Sequence, residues 1–176
     1  VNYSAAQFSR AIVMPNLKPA ITTVDMALSY RERILDSVDK KYNFEPLMTL
    51  YLTDNMLPDV INVAAQTESI KALKYYPAGA TTNSDCGVTD IKKIYSVLEA
   101  MMKNKLPLLI HGEVSDIEVN VFDREKVFIE KVLEPLVDDF CELKIVFEHI
   151  TTKAAVDFVL NASSNVAATI TPQHIL

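Results

Sequence analysis

The segment LPLLIHGEVSDIEVNVFDREKVFIEKVLEPLVDDFCELKIVFEH (106–149) contains the pattern that decides the fold. It begins and ends with short, nearly continuous apolar runs, PLLIHG (107–112) and LKIVFEH (143–149). Runs of this kind are typical of parallel strands that are covered on both faces. Between them, apolar residues recur at helical spacing over 129–140 and predict a helix. The segment therefore reads as a strand–helix–strand unit.

The same alternation continues on both sides of this unit. Four further apolar runs predict strands: AIVM (11–14), LMTLYL (47–52), IKALKYY (70–76) and VAATIT (166–171). Further helices are predicted after Thr22 or Thr23, over 58–66, after Thr89 or Asp90, and over 153–161 after Thr151 or Thr152. We expect Pro135 to kink the helix at 129–140. No hairpin signal interrupts the series, so the sequence predicts a parallel α/β architecture.

An open doubly wound sheet and a closed barrel both fit this alternation. The strand centres lie about 31 residues apart, which matches roughly 250 residues divided over eight βα units. No GxGxxG or GKS loop follows any strand, which disfavours the usual dinucleotide and P-loop proteins. We therefore predict a TIM (β/α)8 barrel that is incomplete at both ends, with about six βα units in a single partial domain, 1–176.

Composition narrows the class of protein. Of the 176 residues, 49% are hydrophobic, which is typical of a well-buried globular chain, and the net charge of −6 disfavours nucleic acid and membrane as partners. The two cysteines, Cys86 and Cys141, lack CxxC spacing, and no apolar run approaches the roughly 20 residues of a membrane span. We expect a cytoplasmic protein. Because the chain begins at Val1 and ends directly after an apolar stretch, we also expect a fragment.

Polar residues at the carboxyl ends of the strands are the candidate functional residues, since barrel chemistry lies there. Asn16 follows the first run, and His111 and His149 end two neighbouring strands. A single histidine at a strand end is usually structural, but two on neighbouring strands also fit a zinc site. For His174, a few residues beyond the last strand, a structural role is the favoured interpretation.

Lys74 lies inside a predicted strand and points to the opposite face from Lys71. Burial lowers the pKa of a lysine and makes the neutral amine available. Near a metal site, such an amine can capture carbon dioxide as a carbamate, an oxygen ligand able to bridge two metals. A surface lysine or an ion-paired lysine is the alternative.

Six stretches together resemble dihydroorotase: RAIVMPNLKPAITTV (10–24), LKYYPAGATTNSDCGVTD (73–90), LPLLIHGEV (106–114), FDREKVFIEKVLEPL (122–136), KIVFEHITTK (144–153) and AATITPQH (167–174). The likeness is to the shorter, monofunctional bacterial type within the amidohydrolase superfamily. It covers essentially the whole chain in register. KYYPAGATTNS and FEHITT differ from what is expected of dihydropyrimidinases and allantoinases.

This resemblance implies reversible, zinc-dependent conversion between dihydroorotate and N-carbamoyl-L-aspartate in pyrimidine biosynthesis, by a cytoplasmic homodimer. A hydroxide bridging two Zn²⁺ ions would attack the cyclic amide carbonyl. The residue roles that it implies are a carboxylated, metal-bridging Lys74, second-zinc ligands His111 and His149, a substrate-carboxylate contact Asn16, and a closing loop with Thr81 and Thr82.

The departures from the family pattern concern the rest of its active site. No His-x-His-x-Arg motif occurs, and the general-base Asp is expected beyond Leu176, so no catalytic residue is identified here. We therefore expect the chain alone to be inactive and to bind at most one zinc, weakly. A related cyclic amidohydrolase of the dihydropyrimidinase or hydantoinase type, and a non-catalytic barrel serving as a scaffold, remain alternatives. A substrate panel and the metal content of histidine variants would separate them.

Overall fold

Six parallel strands form one sheet in the computed structural model, which describes residues 1–176. Neighbours in the chain are neighbours in the sheet, so every connection crosses over to the next strand. The strands are β1 (Arg10–Val13), β2 (Glu45–Tyr51), β3 (Ile70–Tyr75), β4 (Leu108–His111), β5 (Ile145–Glu148) and β6 (Val166–Ala168). All six predicted runs are strands; β3 to β6 are shorter than the predicted runs, whereas β1 and β2 begin before them.

A short helix, α1 (Asn2–Ala5), precedes β1, and the other helices lie in the crossovers between the strands. They are α2 (Val24–Ser37), α3 (Pro58–Gln66), α4 (Tyr95–Asn104), α5 (Arg124–Phe128), α6 (Glu134–Asp139) and α7 (Lys153–Asn161). The Thr23 side chain accepts from the Met26 amide at the start of α2, and Thr152 accepts from Ala155 at the start of α7, as expected for N-caps. None of these helices combines the length and the apolarity that crossing a bilayer requires.

The helix between β4 and β5 is irregular, as predicted, but the irregularity precedes Pro135 rather than lying at it. A π-helical turn, Ile129–Leu133, joins α5 to α6. Proline lacks the amide that would bond to the carbonyl four residues earlier, and its ring pushes that carbonyl aside. A widened turn before the proline is one way for a helix to absorb this loss and continue.

The sheet has an apolar outer face and a more polar inner face. Alternate residues such as Leu73, Ile110 and Phe147 pack against the helices and form the core. Strand register aligns Lys74 with Leu109, and His111 with Glu148. Since registered residues share a face and residues two apart along a strand do too, Lys74, His111 and Glu148 all lie on the inner face. The fold therefore gathers titratable groups on the side away from its core.

Candidate active site

A cavity of about 300 Å³ opens at the carboxyl ends of the strands. It is lined by Met14, Asn16, Lys74, Tyr76, Thr81, His111, Glu148, His149, Thr169 and Thr171. A larger groove, about 680 Å³, lies on the outer surface between α6 and α7, away from the strand ends. We take the smaller cavity as the candidate site, because the inner-face titratable groups converge there and barrel chemistry is found at this edge.

His111 and His149 face each other across the cavity. The Nδ1 of His111 lies 3.2 Å from the Nε2 of His149. Burial lowers the pKa of His111 to about 4, with the neighbouring His149 and Lys74 adding to the effect, and burial likewise lowers the pKa of His149. Both imidazoles are therefore neutral near pH 7. The other ring nitrogen of His111, Nε2, is buried and has no hydrogen-bond partner.

Lys74 is 1% exposed and forms an ion pair with Glu148. Burial lowers the pKa of Lys74, while the Glu148 carboxylate opposes that shift. The ammonium group also lies 5.1 Å from the centre of the Tyr76 ring. Lys71, three residues earlier, is exposed. The two lysines therefore lie on opposite faces, as their spacing predicts, and Lys74 is the buried one.

Asn16 is tied to the loop that follows β3. Its side-chain amide donates to the Thr82 carbonyl at 3.1 Å, and its own carbonyl accepts from the Asn83 side chain at 2.8 Å. Asn83 has φ of 56°, in the left-handed region that asparagine tolerates better than most residues. Tyr51 also donates to the Asn83 carbonyl, at 3.2 Å. Thr81 lines the cavity, whereas Thr82 contributes its backbone to this contact and is not among the lining residues.

The structure separates the third histidine from the other two. His174 is exposed, and its Nδ1 accepts from the Thr171 amide at 3.2 Å in a local turn. Glu148 and Thr169 were not identified from the sequence, although both line the cavity. The requirement that a buried lysine find a carboxylate could have drawn attention to Glu148, which directly precedes His149.

The chain resembles known proteins along essentially its whole length. No protein-family model matches it. A dihydroorotase of Microcystis aeruginosa is 61% identical over 174 residues, which are 99% of this chain and 51% of that protein. The crystal structure of a Campylobacter jejuni dihydroorotase superposes with a TM-score of 0.89 at 40% identity, covering 98% of this chain and 49% of the other. An L-hydantoinase (dihydropyrimidinase) of Arthrobacter aurescens, 16% identical with a TM-score of 0.77, shares the fold over 97% of this chain and 42% of its own.

The curled parallel sheet, with titratable residues at its carboxyl edge, has the fold of part of an amidohydrolase-type TIM barrel. Within that class, the chain is homologous to the dihydroorotases. It spans about half the length of the curated relatives that it matches.

The side chains of the cavity fit a metal ion in their chemistry, although they do not form a complete set of ligands. Neutral imidazoles are the form that binds metal, and the Nε2 atom of His111 has no competing hydrogen bond. No group of three or more His, Cys, Asp and Glu side chains is arranged to hold a metal. The other titratable side chains in the lining are Lys74, which could bind a metal only after a change in its chemistry, and Glu148, which is paired with Lys74.

Proposed function

We propose that the protein is a dihydroorotase that interconverts dihydroorotate and N-carbamoyl-L-aspartate, and that this chain supplies one half of its zinc site. The observation that carries the proposal is the convergence of Lys74, His111 and His149 in one cavity. It is supported by about 60% identity to dihydroorotases over nearly all of the chain. We further propose that the complete enzyme is a cytoplasmic homodimer; the two unpaired, exposed cysteines, Cys86 and Cys141, suit a reducing compartment.

In this proposal, His111 and His149 would hold a Zn²⁺ ion, and Lys74 would become a metal ligand as an N6-carboxylysine. When bound, such metals supply Lewis acidity, which polarises the amide carbonyl and makes water a better nucleophile near pH 7. The ion pair and the carbamate are mutually exclusive states of Lys74. Carboxylation replaces the ammonium that Glu148 contacts by an anion, so Glu148 has to move away from it or be offset by metal charge.

Asn16 and the loop carrying Thr81 and Thr82 would bind the substrate. The Asn16 side-chain amide carries two N–H groups, and one of them donates to the Thr82 carbonyl. The other can donate to a substrate carboxylate, so that one side chain would contact both the loop and the substrate. Closure of the loop would exclude water from the cavity.

The proposal is tested by joining to both ends of this chain the residues that flank the matched region in the Microcystis aeruginosa relative. We expect the joined protein to hydrolyse dihydroorotate in a zinc-dependent manner, and the 176-residue chain alone to be inactive. His111→Ala and His149→Ala in the joined protein should each reduce activity at least a hundredfold. Mutating residues that only hydrogen-bond to a metal ligand already lowers metal affinity or activity about 10–100-fold, and loss of the ligand itself should cost more. Activity on hydantoin or dihydrouracil in preference to dihydroorotate would refute the assignment, as would full activity of either variant.

A further inference from the structure

Glu125, in α5, is a buried carboxylate outside the cavity. It is 5% exposed, and it forms no ion pair with any Lys, Arg or His. Burying an ionised carboxylate is costly unless its oxygens accept hydrogen bonds. The Glu125 carboxylate therefore needs hydrogen-bond donors, and the position of those donors indicates the role of this residue.

All of the partners belong to two consecutive threonines after β5. The Thr151 amide lies 3.1 and 3.0 Å from the two carboxylate oxygens of Glu125. The Thr152 amide and hydroxyl donate to Oε1 at 2.8 and 2.7 Å. The same Thr152 hydroxyl caps α7 by accepting from the Ala155 amide at 3.2 Å. Glu125 thus holds the backbone in place by hydrogen bonds where the chain passes from the end of β5 into α7.

That turn contains His149. This residue has φ of 45°, a left-handed conformation that costs a non-glycine residue about 1 kcal/mol or more and persists only when its surroundings hold it. On one side, the His149 amide donates to the Thr169 hydroxyl at 2.9 Å, and the Ile150 amide to the Thr169 carbonyl at 3.0 Å. On the other side, the turn is held by Glu125. The His149 backbone is therefore fixed from both directions.

The start of α5 also contacts the loop that carries the other histidine. The Val114 amide, three residues after His111, donates to the Arg124 carbonyl at 3.4 Å. Arg124 and Glu125 are consecutive, so one short stretch of chain touches both histidine loops. This stretch is in a position to set the separation of the two rings.

From these contacts we propose that Glu125 is a positioning residue, which holds His149 in register with His111 so that both rings can bind one metal ion. The proposal rests on the metal site of the proposed function. Glu125 has no hydrogen bond to either ring and acts through Thr151 and Thr152.

The test compares Glu125→Gln with Asp54→Asn in the full chain. Glutamine keeps the size of glutamate, but its amide group would face the Thr151 N–H, so two donors would oppose each other. Asp54 is the matched control, because it also accepts the amide and the hydroxyl of one threonine, Thr89, at 2.8 and 2.6 Å. Thr89 lies in the connection after β3, and the turn that it belongs to contains no histidine.

Three quantities are measured for each variant: hydrogen-exchange protection of the Thr151 and Thr152 amides, the nuclear Overhauser contact between the His111 and His149 rings, and the zinc dissociation constant. For Glu125→Gln we expect loss of the protection and of the ring contact, and zinc binding weakened about tenfold. Asp54→Asn should leave all three unchanged. If Glu125→Gln lowers the urea midpoint yet keeps the ring contact and the zinc dissociation constant of the wild type, Glu125 is merely structural and the proposal fails.

Two further outcomes are informative. Should Glu125→Gln not fold, Thr152→Val is measured instead, because it removes the hydroxyl that donates to Glu125. We expect it to change the same three quantities in the same direction by a smaller amount. No change in them would overturn the proposal. Should the 176-residue wild type bind no zinc, its half of the site does not hold the metal on its own. The ring contact in the metal-free protein then still decides whether Glu125 positions His149.

Discussion

Lys74 is the residue whose chemical state determines what the cavity can bind. As an ammonium paired with Glu148, it cannot coordinate a cation. Its burial lowers its pKa, and this favours the neutral amine from which a carbamate forms. With Lys74 as an ammonium, the pKa values of His111 and His149 are lowered, so both imidazoles are neutral. In the proposed metal site, the contribution of Lys74 therefore depends on a reaction at its own side chain.

This chemistry predicts a specific label on Lys74. When the protein is incubated with zinc and ¹³C-bicarbonate, we expect one carbamate carbon signal by NMR, which is absent in Lys74→Arg because a guanidinium does not react in this way. Lys71→Arg, on the same strand but exposed, is the control and should keep the signal. A signal that survives in Lys74→Arg, or one that disappears in Lys71→Arg, would contradict the assignment.

At the scale of the elements, the sequence predicts features that depend on periodicity within a strand or helix. Strand ends and side-chain alternation suffice to bring Lys74, His111 and His149 together. Glu148 and Glu125 escape such reasoning, because their partners lie 74 and about 26 residues away and depend on strand register and helix docking. The sequence likewise predicts that Pro135 disturbs its helix, but not that a π-helical turn forms before it. A kink at the proline and a π-helical turn before it can each accommodate the missing amide of Pro135, so the sequence does not distinguish them.

Tyr95, at the start of α4, connects this helix to the end of α6. Its hydroxyl donates to Asp139 at 2.6 Å, and this hydrogen bond, with burial as the second cause, raises the pKa of Tyr95 to about 12. An unfolded chain loses the same proton near pH 10. The contribution of the contact to stability is therefore complete below pH 10 and is lost as the pH rises towards 12.

We accordingly expect the difference in free energy of unfolding between the wild type and Tyr95→Phe to favour the wild type at pH 8 and to shrink between pH 10 and 12. Urea unfolding followed by circular dichroism at pH 8, 9, 10 and 11 measures this difference. Because the other tyrosines and the lysines titrate in both proteins, their effects cancel in the comparison. A difference that stays constant or grows with pH would show that the hydrogen bond is not the cause.

At the scale of the whole molecule, the sheet runs in chain order from β1 to β6, with its core between the strands and the helices. The inner face carries the cavity, and its ligand candidates come from β3, β4 and the end of β5. The chain spans about half of its dihydroorotase relatives, and the family's His-x-His-x-Arg motif does not occur in it. In the proposed function, these candidates serve one metal position rather than a pair.

This count of ligands predicts the stoichiometry of zinc binding. We expect the 176-residue chain to bind at most one zinc, weakly, since Lys74, His111 and His149 are the only ligands proposed in the cavity and no cluster of three His, Cys, Asp or Glu side chains exists. Competition with a chromophoric chelator in bicarbonate buffer, together with metal analysis after gel filtration, measures both stoichiometry and affinity. The double substitution His111→Ala and His149→Ala should abolish binding, whereas His174→Ala should leave it unchanged because that ring is exposed and lies outside the cavity. Two tightly bound zinc ions per chain, or a loss of zinc in His174→Ala, would mean that the metal is held elsewhere.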